Sequence, residues 1–128
     1  MEIRKIIRSA KTGSGEKGGL PWAQYVFSAQ FPGFAGHFPG QPVLPGVCML
    51  QAVAATLEDG HGRGIRVEEV RKARFTSPIR PDQPLDVRCT RQDKNAEVFT
   101  AHATLRGSRD RETSACIVKY RLREGTDA

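Results

Sequence analysis

Between Pro45 and Gly60 the chain carries its one sustained helical pattern, and any fold it adopts must find a place for that segment. Val47, Leu50, Ala54 and Leu57 recur at i, i+3, i+7 and i+10, which predicts a helix of about three turns, closed by Asp59-Gly60. Downstream the apolar period drops to two. Leu85, Val87 and Cys89 alternate with Asp86, Arg88 and Thr90, as a strand with one buried face should. Phe99, Ala101, Ala103 and Leu105 do the same, and so do Cys116, Val118, Tyr120 and Leu122. With further strand candidates at about 22–29 and 66–75, the pattern predicts an α+β fold: an antiparallel sheet of five to six strands wrapped around one central helix. Small Ala101, Ala103 and Ala115 would let strands approach that helix closely.

Other stretches read less cleanly. Ile3, Ile6, Ile7 and Ala10 sit at helical spacing, but the segment is β-branched and the reading leans to a strand. "KTGSGEKGG", residues 11–19, reads as a flexible loop, and "RGSRDRE" as a polar hairpin connection.

At 128 residues the chain fits a single domain spanning 1–128. A domain of this size buries somewhat under ~70% of its unfolded surface, so an interface that hides more apolar area is expected. No apolar run approaches the ~20 residues of a membrane helix, which predicts a cytoplasmic protein without membrane insertion. Cys48, Cys89 and Cys116 have no spacing that suggests zinc or a disulfide framework, and are expected as reduced, buried thiols. The net charge of +6 favours an acidic partner. Without a stacking motif or a basic-aromatic cluster, nucleic acid is not expected to be that partner.

The first N–H groups of the helix, at about Gly46 and Val47, point out of it with partial positive charge and can hold a polarised carbonyl. Gly46 has no side chain to block a substrate's approach. His37 precedes the helix on a loop stiffened by Pro39, Pro42 and Pro45, where a base for a bound carbonyl compound would be held; the alternative is a hydrogen-bonded surface histidine. Gln51 projects from the apolar helix face, either as a site residue or as an amide bonded within an interface. Cys48 reads as packing, His61 as a solvated loop residue and His102 as a side chain on the outer strand face. Arg71, Lys72 and Arg74, with Arg63 and Arg66 nearby, either bind an acidic carrier or form a solvated basic face.

"GHFPGQPVLPGVCMLQAVAA", residues 36–55, resembles the G-H-F-P-G-x-P-V-M-P-G-V-x-x-x-E/D-A signature of the 3-hydroxyacyl-acyl-carrier-protein dehydratases, the FabA/FabZ family. "VRKARFTSPIRPDQPLDV", residues 70–87, resembles that family's R-F-x-x-P-V-x-P-G-D-x-L stretch. The resemblance implies a hot-dog fold and dimers with two sites at the interface, and no cofactor or metal. It implies His37 as the base that takes the α-proton of a (3R)-3-hydroxyacyl thioester. Phe38, Gly46 and Val47 would border the substrate, with the Gly46 N–H on the thioester carbonyl. Where the family has an acid from the other protomer's helix for the departing hydroxyl, this chain has Gln51, which can orient a hydroxyl or a water but cannot supply an acidic proton.

The family's longer L-P-H-R-Y-P-F-L-L-V-D segment has no counterpart upstream of the signature, so the resemblance is to a short variant. Glu58 lies about 10 Å farther along the helix than Gln51, too far to replace an acid there, and Glu68 and Glu69 are weak substitutes. Three functions stay open: a dehydratase acting on acyl-carrier-protein or acyl-CoA thioesters; a catalytically impaired pseudo-dehydratase that binds acyl chains or pairs with an active homologue; and a hot-dog thioesterase. The expected assembly is a homodimer or higher homo-oligomer, or a heterodimer with a related dehydratase.

Overall fold

The computed structural model describes residues 3–34, 40, 42–76, 78–107 and 114–124. The helical segment predicted from the apolar period forms α2 (Gly46–His61), longer at its C-terminal end than expected. Gly62, at φ 67, ends it by donating its N–H to Glu58 O at 2.8 Å, a left-handed cap that glycine adopts without strain. From Ala52 to Glu58 every residue is buried. A helix can be buried on consecutive positions around its whole circumference only when other elements surround it.

The surrounding wall is one antiparallel sheet with strands in the order β1-β2-β4-β5-β6-β3. The strands are β1 (Lys11–Lys17), β2 (Leu20–Val26), β3 (Ile65–Arg74), β4 (Pro84–Asn95), β5 (Val98–Gly107) and β6 (Ser114–Leu122). Their inward residues are those the alternation predicted: Leu85, Val87 and Cys89 on β4, Ala101, Ala103 and Leu105 on β5, and Cys116, Val118 and Tyr120 on β6, all buried. Tyr25 crosses from β2 to the helix, its hydroxyl 3.3 Å from Ala52 O and 3.0 Å from Thr56 Oγ1. Burial pushes that phenol up to about 12. Cys48, Cys89 and Cys116 are free buried thiols, and burial raises all three.

Two segments depart from expectation. Residues 3–9 form a helix, α1 (Ile3–Ser9), rather than a strand. Helical spacing puts Ile3, Ile6 and Ile7 on one side, with Ile7 fully buried, and leaves Arg4 and Arg8 one turn apart on another. A strand would have mixed Ile6 between the two arginines on one face, so packing overrides the weak β-branched preference. Residues 11–17 form strand β1 rather than a flexible loop. Gly18 and Gly19, at φ 61 and 78, make the two-residue turn that matches strand twist and lay β1 along β2. Trp22 of β2 packs over Gly13, and Lys17 Nζ stands 4.6 Å from the Trp22 ring centre. The strand expected at 22–29 stops at Val26.

Glu58 ties α1 to α2 and β3. Its carboxylate accepts from Arg4 Nη1 at 3.1 Å, from Arg8 Nη2, and from the Ile65 N–H at 2.7 Å. Removing one partner of a buried ion pair strands the others. Glu58→Ala should therefore lower stability on the order of 3 kcal/mol, read as a reduced urea midpoint, with faster amide exchange in α1 than in β4 and β5.

Candidate active site

At the N-terminus of α2, Pro45 lends its carbonyl to the Cys48 and Met49 N–H groups at 3.0 and 3.2 Å. Pro45 provides no side-chain cap for the N–H groups of Gly46 and Val47. Val47 is 63% exposed, so this terminus opens outward. Cys48, one residue on, is buried, and burial raises its thiol, which fits packing rather than nucleophilic chemistry.

The expectation that Gly46 leaves room for a substrate needs correction. A Cβ there would lie 2.8 Å from the Phe75 ring of the same chain, so the space beside Gly46 is already filled by an aromatic side chain. Phe75 immediately follows β3, which brings the sheet edge against the helix start.

One turn into the helix, Gln51 borders a cavity of about 140 Å³ with Arg4, Val47, Val67, Val70 and Val118. Its walls are apolar apart from Arg4 and Gln51. Gln51 Oε1 accepts from Arg4 Nε at 3.0 Å, so the amide that sequence alone left without a partner finds one within its own chain. Ligand pockets usually exceed about 300 Å³. This cavity is about half that size and lies beside exposed Val47 and Val70.

His37 and Phe38 lie outside the described residues. Arg71, Lys72 and Arg74 are exposed along β3, with Arg71 Nε 3.1 Å from Glu69 Oε1 and Lys72 at φ 51 where the pairing with β6 is irregular. Glu68 and Glu69 sit within β3. A larger basic concavity of about 860 Å³, with Arg63, Arg66, Lys94, Arg121 and Arg123, lies beyond the C-terminal end of α2, away from Gly46 and Gln51. Sequence reading missed Arg4; its only trace was the one-turn spacing of Arg4 and Arg8.

His61 also needs correction. It is the last residue of α2 and half-buried, not a solvated loop residue. Its ring meets Phe99 and Tyr120 edge-on, and Nε2 lies 2.8 Å from Tyr120 Oη and 3.1 Å from Gln92 Nε2. Burial, and then the Lys94 charge, hold the imidazole below its ordinary 6.5.

Residues 20–114 match the ApeI-like family, described as ApeI dehydratase. The chain belongs to the ApeI-like dehydratase family. Beside that match, it is 38% identical over 90 residues to the 3-hydroxyacyl-acyl-carrier-protein dehydratase FabZ of Haemophilus influenzae strain PittEE, covering 62% of this chain and 61% of that protein. The FabZ of Granulibacter bethesdensis is 32% identical over 82 residues, 57% of this chain and 48% of that one. The matches thus span 61% or less of these two relatives' own length. In fold the chain resembles a chain of the dehydratase heterocomplex ApeI:P from Xenorhabdus doucetiae, with TM-score 0.67 and 20% identity over 89% of this chain and 96% of that one. It also resembles the Escherichia coli PaaI protein, with TM-score 0.61 and 14% identity over 84% and 75%. The architecture of this ApeI-like chain is the hot-dog fold, with a second short helix, α1, added to the expected one.

His61 makes the fold sensitive to acid. Its folded state prefers the neutral ring, so the unfolded chain binds the extra proton more readily, and stability is lost as pH falls below 6.5. Thermal melts between pH 7.5 and 5 should show this fall, and His61→Gln should have a flatter profile over the same window.

Proposed function

We propose that the chain is a hydroxyacyl-thioester dehydratase, removing water from a (3R)-3-hydroxyacyl group carried on acyl-carrier protein or CoA. The observation that carries this reading is the start of α2, where the Gly46 and Val47 N–H groups have no side-chain cap and Val47 borders an apolar cavity that also holds the oriented Gln51 amide. The family match supports it. The Gly46 and Val47 N–H groups hold the thioester carbonyl and take up the charge that develops when the α-proton leaves. His37 takes that proton, with Phe38 lining the acyl chain.

Gln51 donates a hydrogen bond to the 3-hydroxyl. An amide gives up no proton near neutral pH, so the proton taken by His37 is the one that leaves with the hydroxyl as water. The C2–H and C3–O bonds break, the C2=C3 bond forms, and His37 ends as it began.

A second chain completes the site. β3 is the sheet edge opposite β1, and it carries exposed Val70 beside the cavity. Reversed about Val70, its own sequence sets Glu69 against Arg71 and Glu68 against Lys72, so two copies paired antiparallel there are charge-complementary. The fold likeness to a chain of a dehydratase heterocomplex favours a second reading, in which a related dehydratase takes that place and supplies the missing acid.

Light scattering on the purified chain separates these assemblies. A homodimer has twice the 14.1 kDa of one chain, and Glu69→Arg together with Glu68→Arg should shift it towards monomer. A monomer that dimerises only with an added dehydratase supports the heteromeric reading.

Ultraviolet detection of the enoyl product from carrier-bound 3-hydroxyacyl substrates tests the chemistry. His37→Ala should lose about 10²–10⁴ in rate. Gln51→Ala should lose about 10- to 100-fold, the worth of one buried hydrogen bond. Substrate binding without turnover, by the chain alone and with a partner, would overturn the catalytic reading.

A further inference from the structure

The polar wall of the small cavity is a chain of contacts running back from Gln51 into α1 and the end of α2. Arg4 Nε donates to Gln51 Oε1 at 3.0 Å. Arg4 Nη1 donates to Glu58 Oε2 at 3.1 Å and to Ile65 O at 3.2 Å. The guanidinium is therefore held from two sides, with its side chain 21% exposed against 6% for Glu58. Arginine has donors only, so its contact with Gln51 decides which end of the amide is which. The carbonyl oxygen turns to Arg4, and the NH₂ becomes the end that Gln51 can offer to a ligand.

We propose that Arg4 is a positioning residue that fixes the polarity of Gln51, making position 51 a hydrogen-bond donor and unfit for a carboxylic acid in this chain. The charges around it favour this. Glu58 faces two guanidiniums, those of Arg4 and Arg8, so one positive charge of the three groups is uncancelled. Lys11 answers Asp59 at 2.6 Å and leaves that carboxylate little call on the arginines. From β3 and β6 the cavity receives Val67, Val70 and Val118, and from α2 Val47, Leu50 and Ala54, all uncharged. Among the described residues lining it, Arg4 is the one charged group facing position 51.

A carboxyl placed there would meet the guanidinium at hydrogen-bond distance and be held in its ionised form. An ionised carboxylate accepts and cannot donate. The amide beside the same arginine still donates at every pH, and its N–H is made more polar by the charge on its oxygen's partner. Gln51 is thus matched to Arg4, and exchanging it for glutamate does not by itself install an acid. The catalytic consequence rests on the dehydratase reading; the arrangement of Arg4 and position 51 does not.

The decisive experiment is to titrate the side-chain carboxyls of Gln51→Glu by carbon-13 NMR, with the wild-type spectrum identifying the added resonance. That carboxyl should titrate below the ordinary glutamate value of about 4.3, and Arg4→Met in the same background should raise it. A carboxyl that titrates at or above the ordinary value with Arg4 present overturns the proposal, and this measurement needs no Arg4 variant to fold. In turnover, Gln51→Glu should be at least about tenfold slower than wild type from pH 6 to 8, the loss falling on kcat. Combining it with Arg4→Met should restore a limb of activity that rises as pH falls. Faster turnover by the single Gln51→Glu variant than by wild type would also overturn the proposal. Absence of dehydration by every protein, wild type included, would instead remove the dehydratase reading while the titration still decides the role of Arg4.

Discussion

Glu58 is a buried acidic residue near the end of a largely apolar helix, and the arrangement of three elements depends on it. Its carboxylate accepts from two arginines of α1 and from the first N–H of β3. Taking a carboxylate out of water costs several kcal/mol, so the position is tenable only because its donors converge. Without α1 the carboxylate would have the Ile65 N–H and little else, and without Glu58 two guanidiniums would face each other across a partly closed space. The helix that sequence periodicity leaves ambiguous is therefore held by a charge cluster as well as by Ile7. Arg4 extends the same cluster to Gln51, so the joint that docks α1 also orients the one amide in the cavity wall.

The strands β4, β5 and β6 were legible in the sequence because each has one face on the helix and one towards solvent, and period two records that division directly. The helix α2 was legible from its apolar residues at helical spacing, although from Ala52 to Glu58 it is buried on every side. α1 was not, because seven residues give too few repeats to separate a helical stripe from a β-branched run. β1 was hidden for a different reason: it buries almost nothing, and it is a strand only because the Gly18-Gly19 turn lays it on β2. Its pairing energy lives in backbone hydrogen bonds, which side-chain patterning does not encode.

Gly46, Val47 and Gln51 lie along one helix end, as the helical spacing predicts, since all three fall within six residues. Local spacing could not supply what comes from far away in the chain. Arg4 stands 47 residues before Gln51, and Phe75 stands 29 residues after Gly46; both contacts follow from how α1 and β3 close on α2. His61 was misread because "DGHGRG" has the composition of a loop. The left-handed cap at Gly62 carries the helix one residue past the first glycine, and Phe99 and Tyr120 then enclose the imidazole.

Elimination of water from a 3-hydroxyacyl thioester consumes no net proton: the one taken from C2 is the one required by the departing oxygen. A site therefore needs one group to carry a proton and a means of steadying charge on the oxygen while the C3–O bond stretches. A carboxylic acid combines both tasks in one residue. A neutral amide polarised by a fixed guanidinium supplies only the second, by electrostatics that are already oriented before the substrate arrives. On the proposed dehydratase reading, that division gives the proton to His37, and the amide's part to Gln51 as Arg4 and the Glu58 cluster orient it. On the proposed reading, one guanidinium would couple the chemistry at Gln51 to the Glu58 cluster that holds α1 in place.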